Sequence, residues 1–116
     1  MEVRKITKPW GYEIIWAITP RYVGKVLHVN KGESLSLQYH NEKDETIHVQ
    51  NGKLRFQTAE KTGLPLRELV LEPGQSFHIK PGVVHRMIAL EDTDILEVST
   101  PELDDVVRLE DRYGRT

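Results

Sequence analysis

The chain contains no cysteine. Disulfides and thiolate ligands are therefore excluded, and any bound metal must take nitrogen and oxygen donors. Long apolar runs are missing as well. Hydrophobic residues make up 38% of the 116, and no run approaches the ~20 needed to span a bilayer. The opening MEVRKITKPWG carries no apolar stretch of the kind found in a secretory leader, so the expected setting is cytoplasmic, with no membrane partner. Neither charge sign dominates: the net charge is −2, which leaves no electrostatic footprint for nucleic acid. Low-complexity segments, linkers and amphipathic helical periods are also lacking. The length suits one domain over residues 1–116 with a small core.

What is present is short-range alternation broken by Gly, Pro and Asn. It predicts strands near residues 12–18, 22–29, 34–40, 45–50, 53–58, 66–71, 77–80, 85–90 and 95–100. Residues 1–11 read as an N-terminal arm or edge strand, and 101–116 as a C-terminal tail with one more short strand or helical turn. Asn51-Gly52 is the strongest hairpin signal in the chain. About ten short strands at this spacing point to an all-β sandwich or barrel. The parity predicts an inward face of Leu54, Phe56, Leu69, Leu71, Phe77, Ile79, Leu96 and Val98. It places Leu35, Leu37, Tyr39, Ile88 and Leu90 outward, an apolar surface that predicts a homodimer.

Polar residues interrupt this pattern in one informative place. Gln38 and His40 lie two apart on one strand and share a face. Glu45 opens the next strand, and His85 opens a later one after Pro81-Gly82. Strand-end ligands around a barrel mouth can converge on a single divalent ion. Imidazole, carboxylate and amide oxygen suit Zn, Mn, Co, Ni or Fe. His28, His48 and His78 lack such partners and read as structural or solvated. Lys25 aligns with Leu27 and Val29, so it either faces inward toward a ligand or extends its ammonium to water. Trp10, between Pro9 and Gly11, reads as a packing residue with a stacking face to offer.

The spacing Gly32-x5-Gln38-x-His40-x4-Glu45-x6-Gly52 resembles the first cupin motif, with Gln38 where the motif has its first His. Gly74-x7-Gly82-x2-His85 resembles the second. Over nearly the whole chain the sequence resembles the cupin domain at the C-terminal end of type II mannose-6-phosphate isomerases. Those bifunctional enzymes also carry a mannose-1-phosphate guanylyltransferase domain. The matching pieces are Lys8-Pro9-Trp10-Gly11, Leu35-Ser36-Leu37-Gln38-x-His40, Glu45, Pro81-Gly82-x2-His85-Arg86, and the tail from Asp105 to Arg115. Lys43 stands where that family has Arg, and Thr46-Ile47 where it has His-Trp.

The resemblance implies a cupin jelly-roll barrel and a metal-dependent isomerase of a sugar phosphate. The metal would be held by Gln38, His40, Glu45 and His85. A base must reach the sugar's C2 proton, and Lys43, Lys25 and Glu42 are the candidates, with Glu45 if it is not a ligand. Arg86 and Lys43 are candidates for the phosphate, and Trp10 for substrate contact. Arg86 has parity opposite to His85, which points it away from the barrel interior. Two further readings stand beside the isomerase: a non-catalytic cupin that binds a sugar or sugar phosphate, and a metal-dependent dioxygenase.

Overall fold

The computed structural model describes residues 2–115. All its regular elements are antiparallel strands: β1 (Arg4–Lys8), β2 (Gly11–Ile18), β3 (Val23–Val29), β4 (Leu37–Tyr39), β5 (Glu45–Asn51) and β6 (Leu54–Ala59) come first. β7 (Arg67–Leu71), β8 (Ser76–Ile79), β9 (Val84–Ala89), β10 (Thr93–Ser99) and β11 (Val107–Glu110) complete the chain. They form a six-stranded sheet ordered β1-β2-β3-β10-β5-β8 and a five-stranded sheet ordered β11-β4-β9-β6-β7. Consecutive strands repeatedly cross between the sheets, which is the jelly-roll arrangement expected from the sequence. Among the described residues, no helix is long and apolar enough to cross a membrane.

The core lies between the sheets and draws on both. Ile47, Val49 and Ile95 from the first meet Leu54 and Phe56 from the second, all fully buried. β5 and β6 alternate as their sequences predict, but they do not pair: Asn51-Gly52 turns the chain from the six-stranded sheet into the five-stranded one, so the expected hairpin is a connection between sheets. Gly52 has φ +93°, and a Cβ there would stand 2.4 Å from the Asp92 carbonyl oxygen, so only glycine fits. Gly11 has the same character. A Cβ on it would lie 1.9 Å from the His28 carbonyl oxygen, because β2 runs flush against β3. That close approach lets Trp10 turn beneath the sheet, where it is 3% exposed and its carbonyl accepts the Asn30 N–H at 2.9 Å. The arm is thus an edge strand, β1, paired with β2, and the tail strand β11 pairs with β4.

Three parity expectations are corrected. Leu96 and Val98 point out of the core, Val98 being 54% exposed, while Thr93, Ile95, Glu97 and Ser99 point in. Both faces of β10 carry apolar residues, and its inward face turns polar where it leaves the core. Leu35 does not share a face with Leu37 and Tyr39. The chain is irregular before β4, so Leu35 packs against the main core. Leu37 is not an open surface residue either, since it packs with Tyr39, Ala59 and Val84 in a small second cluster. The large exposed apolar side chains include Trp16 and Tyr22, on or beside the six-stranded sheet.

Phe56 fills the centre of the core, so Phe56→Ala should cost about 3–5 kcal/mol in chemical denaturation. Val98→Thr should change stability by no more than about 0.5 kcal/mol. Comparable losses for the two would contradict the assignment of faces.

Candidate metal centre

Strand ends bring the polar residues together. Gln38 lies in β4, and His40 follows its last residue. Gln38 is the register partner of His85 in β9, so the two sit side by side across the five-stranded sheet. Glu45 enters from the facing sheet as the first residue of β5. His40, Glu45 and His85 are 2%, 3% and 1% exposed. The Glu45 Oε1 lies 3.5 Å from His40 Nε2 and 3.4 Å from His85 Nε2. One ligand atom from each of the three falls within 4.8 Å of the others.

Hydrogen bonds on the far side of each ring determine what it offers. His40 Nδ1 lies 2.5 Å from the Asp105 carbonyl, and His85 Nδ1 lies 3.0 Å from the Val83 carbonyl. A carbonyl only accepts, so each Nδ1 carries a proton and Nε2 is the ring nitrogen left facing Glu45. Two imidazole nitrogens and a carboxylate oxygen facing each other inside a protein need positive charge between them, carried by a proton on Nε2 or by a bound cation. The donor set therefore fits a divalent cation, and these three residues can hold one.

Asp105 secures this corner a second time. Its carboxylate accepts the backbone N–H groups of Asn41, Glu42 and Lys43 at 3.0, 2.6 and 2.9 Å, which hold it below the ordinary aspartate range. The loop joining the two ligand-bearing strands is tied to the tail in this way.

Charged side chains line the wall above the cluster. Lys43 Nζ is buried 3.0 Å from Glu45 Oε2 and 3.3 Å from Glu97 Oε2. Burial draws the Lys43 ammonium down, but the Glu97 and Glu45 charges outweigh it and raise its pKa above that of ordinary lysine. Burial likewise pushes Glu45 up. The His40 hydrogen bond and the charges of Lys43 and His85 prevail and hold it well below the usual carboxylate range. Glu97 goes the other way, raised by burial and by the Glu45 charge. Lys25 faces inward, with its Nζ 3.4 Å from Glu13 Oε2. These groups enclose a cavity of about 430 Å³ with Gln38 and Trp10 in its lining and the metal-capable cluster on its wall.

The structure thus brings together Gln38, His40, Glu45, His85, Lys43, Lys25 and Trp10. Two other expected site residues stay outside the cavity lining. Glu42 is exposed, and the loop offers only its N–H to Asp105. Arg86 lies on the opposite face of β9 from His85 and pairs with Glu110 at 2.9 Å, as its parity foretold. Glu13, Glu97 and Asp105 take part without having been singled out. Glu97 alternates with Ile95 and Ser99, a signal hidden by the apolar Leu96 and Val98, and Asp105 opens the tail motif.

A two-sheet jelly roll with imidazoles and a carboxylate converging beside its core is the arrangement of a cupin. Residues 25–100 match the family described as Cupin domain, and the chain belongs to that family. It is 34% identical to the xanthan biosynthesis protein XanB of Xanthomonas campestris pv. campestris, over 97% of this chain and 24% of that protein. It is 36% identical to the mannose-1-phosphate guanylyltransferase ManC of Salmonella typhimurium, over 97% of this chain and 23% of that protein. The chain therefore spans about a quarter of the length of these curated relatives, and the resemblance drawn from its motifs holds. Among solved structures, KdgF from Halomonas sp. matches with a TM-score of 0.72 at 22% identity, covering 90% of this chain and 91% of that one; this likeness establishes the fold alone.

Burial pushes the His85 imidazole from 6.5 down to about 4. In metal-free protein, an NMR titration should find the ring neutral until the pH falls near that value. An unfolded histidine titrates near 6.5, so between roughly pH 6.5 and 4 the unfolded chain takes up a proton that the folded one refuses. The His85 contribution to folding therefore becomes less favourable as pH falls through that window, by about 3 kcal/mol in full. A ring titrating at or above 6.5 would contradict the burial account.

Proposed function

We propose that this cupin is a metal-dependent aldose–ketose isomerase of a sugar phosphate, with mannose 6-phosphate and fructose 6-phosphate as the pair. The observation that carries the reading is one cavity in which a metal-capable cluster and buried lysine–carboxylate groups share a wall. The relatives support it. One is named for guanylyl transfer involving mannose 1-phosphate and another for xanthan biosynthesis, and a domain that handles a mannose phosphate suits such company.

Isomerisation moves a proton between C2 and C1 of the open-chain sugar and spreads negative charge over O1 and O2. His40, Glu45 and His85, with the Gln38 amide oxygen as a fourth ligand, would hold a divalent ion, which would supply Lewis-acid chemistry for those oxygens; Zn, Mn, Co, Ni and Fe all suit the donors. Lys43 is held protonated by two carboxylates and does not serve as the base. It presents a fixed positive charge that favours charge development on the sugar. Glu97 is better suited to take and return the proton, because burial raises its carboxyl above the ordinary range and it lines the same cavity. Lys25, oriented by Glu13, donates to a substrate hydroxyl, and Trp10 offers an apolar face to the sugar's C–H groups. A homodimeric, cytoplasmic protein belongs to the same reading.

The test is to incubate the protein, loaded in turn with each of these metals, with mannose 6-phosphate in D2O and follow the sugar by NMR. Fructose 6-phosphate should form, with deuterium entering at C1 or C2. Binding without exchange or product under every metal would replace the isomerase with a sugar-phosphate-binding cupin. Oxygen consumption confined to the iron form would replace it with a dioxygenase.

A further inference from the structure

The deep wall of the cavity uses up its own cations. Lys43 is committed to Glu45 and Glu97, and Lys25 to Glu13. The two groups expected to bind a phosphate are therefore poorly placed for it, since Arg86 lies outside and Lys43 is already held. Four more cations line this cavity nearer its rim: Arg4 and Lys8 from β1, with Lys8 Nζ also 3.8 Å from Glu13 Oε1, Arg108 from β11, and Arg115 from the tail. Basic residues outnumber acidic ones six to four in the cavity lining, although the whole chain carries −2. The positive excess comes from these four residues, at the two ends of the chain.

Two features indicate that this rim is built. Arg115 donates from Nε and Nη2 to Asp111 Oδ2 and Oδ1 at 2.9 and 3.1 Å. The Asp111 side chain is 1% exposed, so a buried carboxylate fixes the plane of a guanidinium that lines the cavity. Arg108 is the register partner of Gln38, which is in turn the partner of His85. The three residues form one row across the five-stranded sheet on the face that lines the cavity. Two strand spacings separate the ends of that row, which puts the backbone of Arg108 roughly 10 Å from that of His85. A dianion at the rim and a reacting group at the imidazoles thus occupy opposite ends of one short molecule.

We infer that Arg4, Lys8, Arg108 and Arg115 form a phosphomonoester subsite that holds the substrate's phosphate and directs its other end toward His40, Glu45 and His85. This assignment rests on the sugar-phosphate reading for the identity of the ligand and deepens it. Guanidinium groups bind phosphate oxygens in pairs, and the fixed Arg115 plane makes that contact with little ordering cost. The edge strands β1 and β11 accordingly bring binding groups to the cavity as well as extending the sheets.

The test titrates the full chain, with and without bound metal, with inorganic phosphate by calorimetry. Phosphate should bind in both states and be displaced by mannose 6-phosphate. Its affinity should fall at least tenfold in Arg4→Gln/Lys8→Gln and in Arg108→Gln. The first variant changes only side chains on an edge strand, so it keeps the test open if a substitution nearer the core disturbs folding. Phosphate binding only to the metal-loaded form, or equally to wild type and both variants, would overturn the subsite. Isomerisation with an unchanged KM in the rim variants would also overturn it and leave the isomerase reading standing. Phosphate binding that the variants lose, in a protein that catalyses no exchange, would uphold the subsite and remove only the isomerase.

Discussion

The arrangement that the rest depends on is the meeting of one carboxylate with two imidazole nitrogens inside the protein. Glu45 comes from one sheet and His85 from the other, so the cluster exists only when the two sheets are packed. With neither a proton nor a cation between them, these groups would oppose folding. Lys43 supplies one positive charge from the side, and a cation among the donors would supply the rest. The Asp105 carbonyl and the Val83 carbonyl make the geometry chemically definite, because each fixes which ring nitrogen is free. Beneath it, Phe56 ties the two parts of the molecule together: it is fully buried, and its ring stacks against His85 at 6.4 Å.

Buried ion pairs of this kind are poor stabilisers, since desolvation offsets much of their attraction. Their value lies in holding particular charge states in one place. Glu45 and Glu97 flank the same lysine yet shift in opposite directions. Glu45 has two imidazoles and a close ammonium in its favour, whereas Glu97 is buried deeply with a neighbouring carboxylate against it. Two carboxyls separated in this manner are suited to different work, one as a permanent anion beside a cation and the other as a proton carrier.

Much of this was legible in the chain. The turn at Asn51-Gly52, the alternation of β5 and β6, and the motif spacing that unites His40, Glu45 and His85 all follow local rules that the fold obeys, although that turn passes the chain from one sheet to the other and closes no hairpin. The misreadings share a cause. On β10 apolar residues occupy both faces, so hydrophobic parity chose Leu96 and Val98 and hid Glu97. Before β4 the strand is irregular, and Leu35 escapes the alternation of its neighbours. Partnerships set by strand register or by the tail, such as Glu13 with Lys25 on neighbouring strands or Asp105 with the loop at Asn41, Glu42 and Lys43, carry no local signal.

The most direct test of the converging donors is the anomalous diffraction of a crystal grown with cobalt. The account predicts a peak roughly 2.0–2.2 Å from His40 Nε2, His85 Nε2 and a Glu45 carboxylate oxygen. The absence of a peak there, with both rings and the carboxylate ordered as described, would contradict it. So would a peak found only at a surface histidine such as His78.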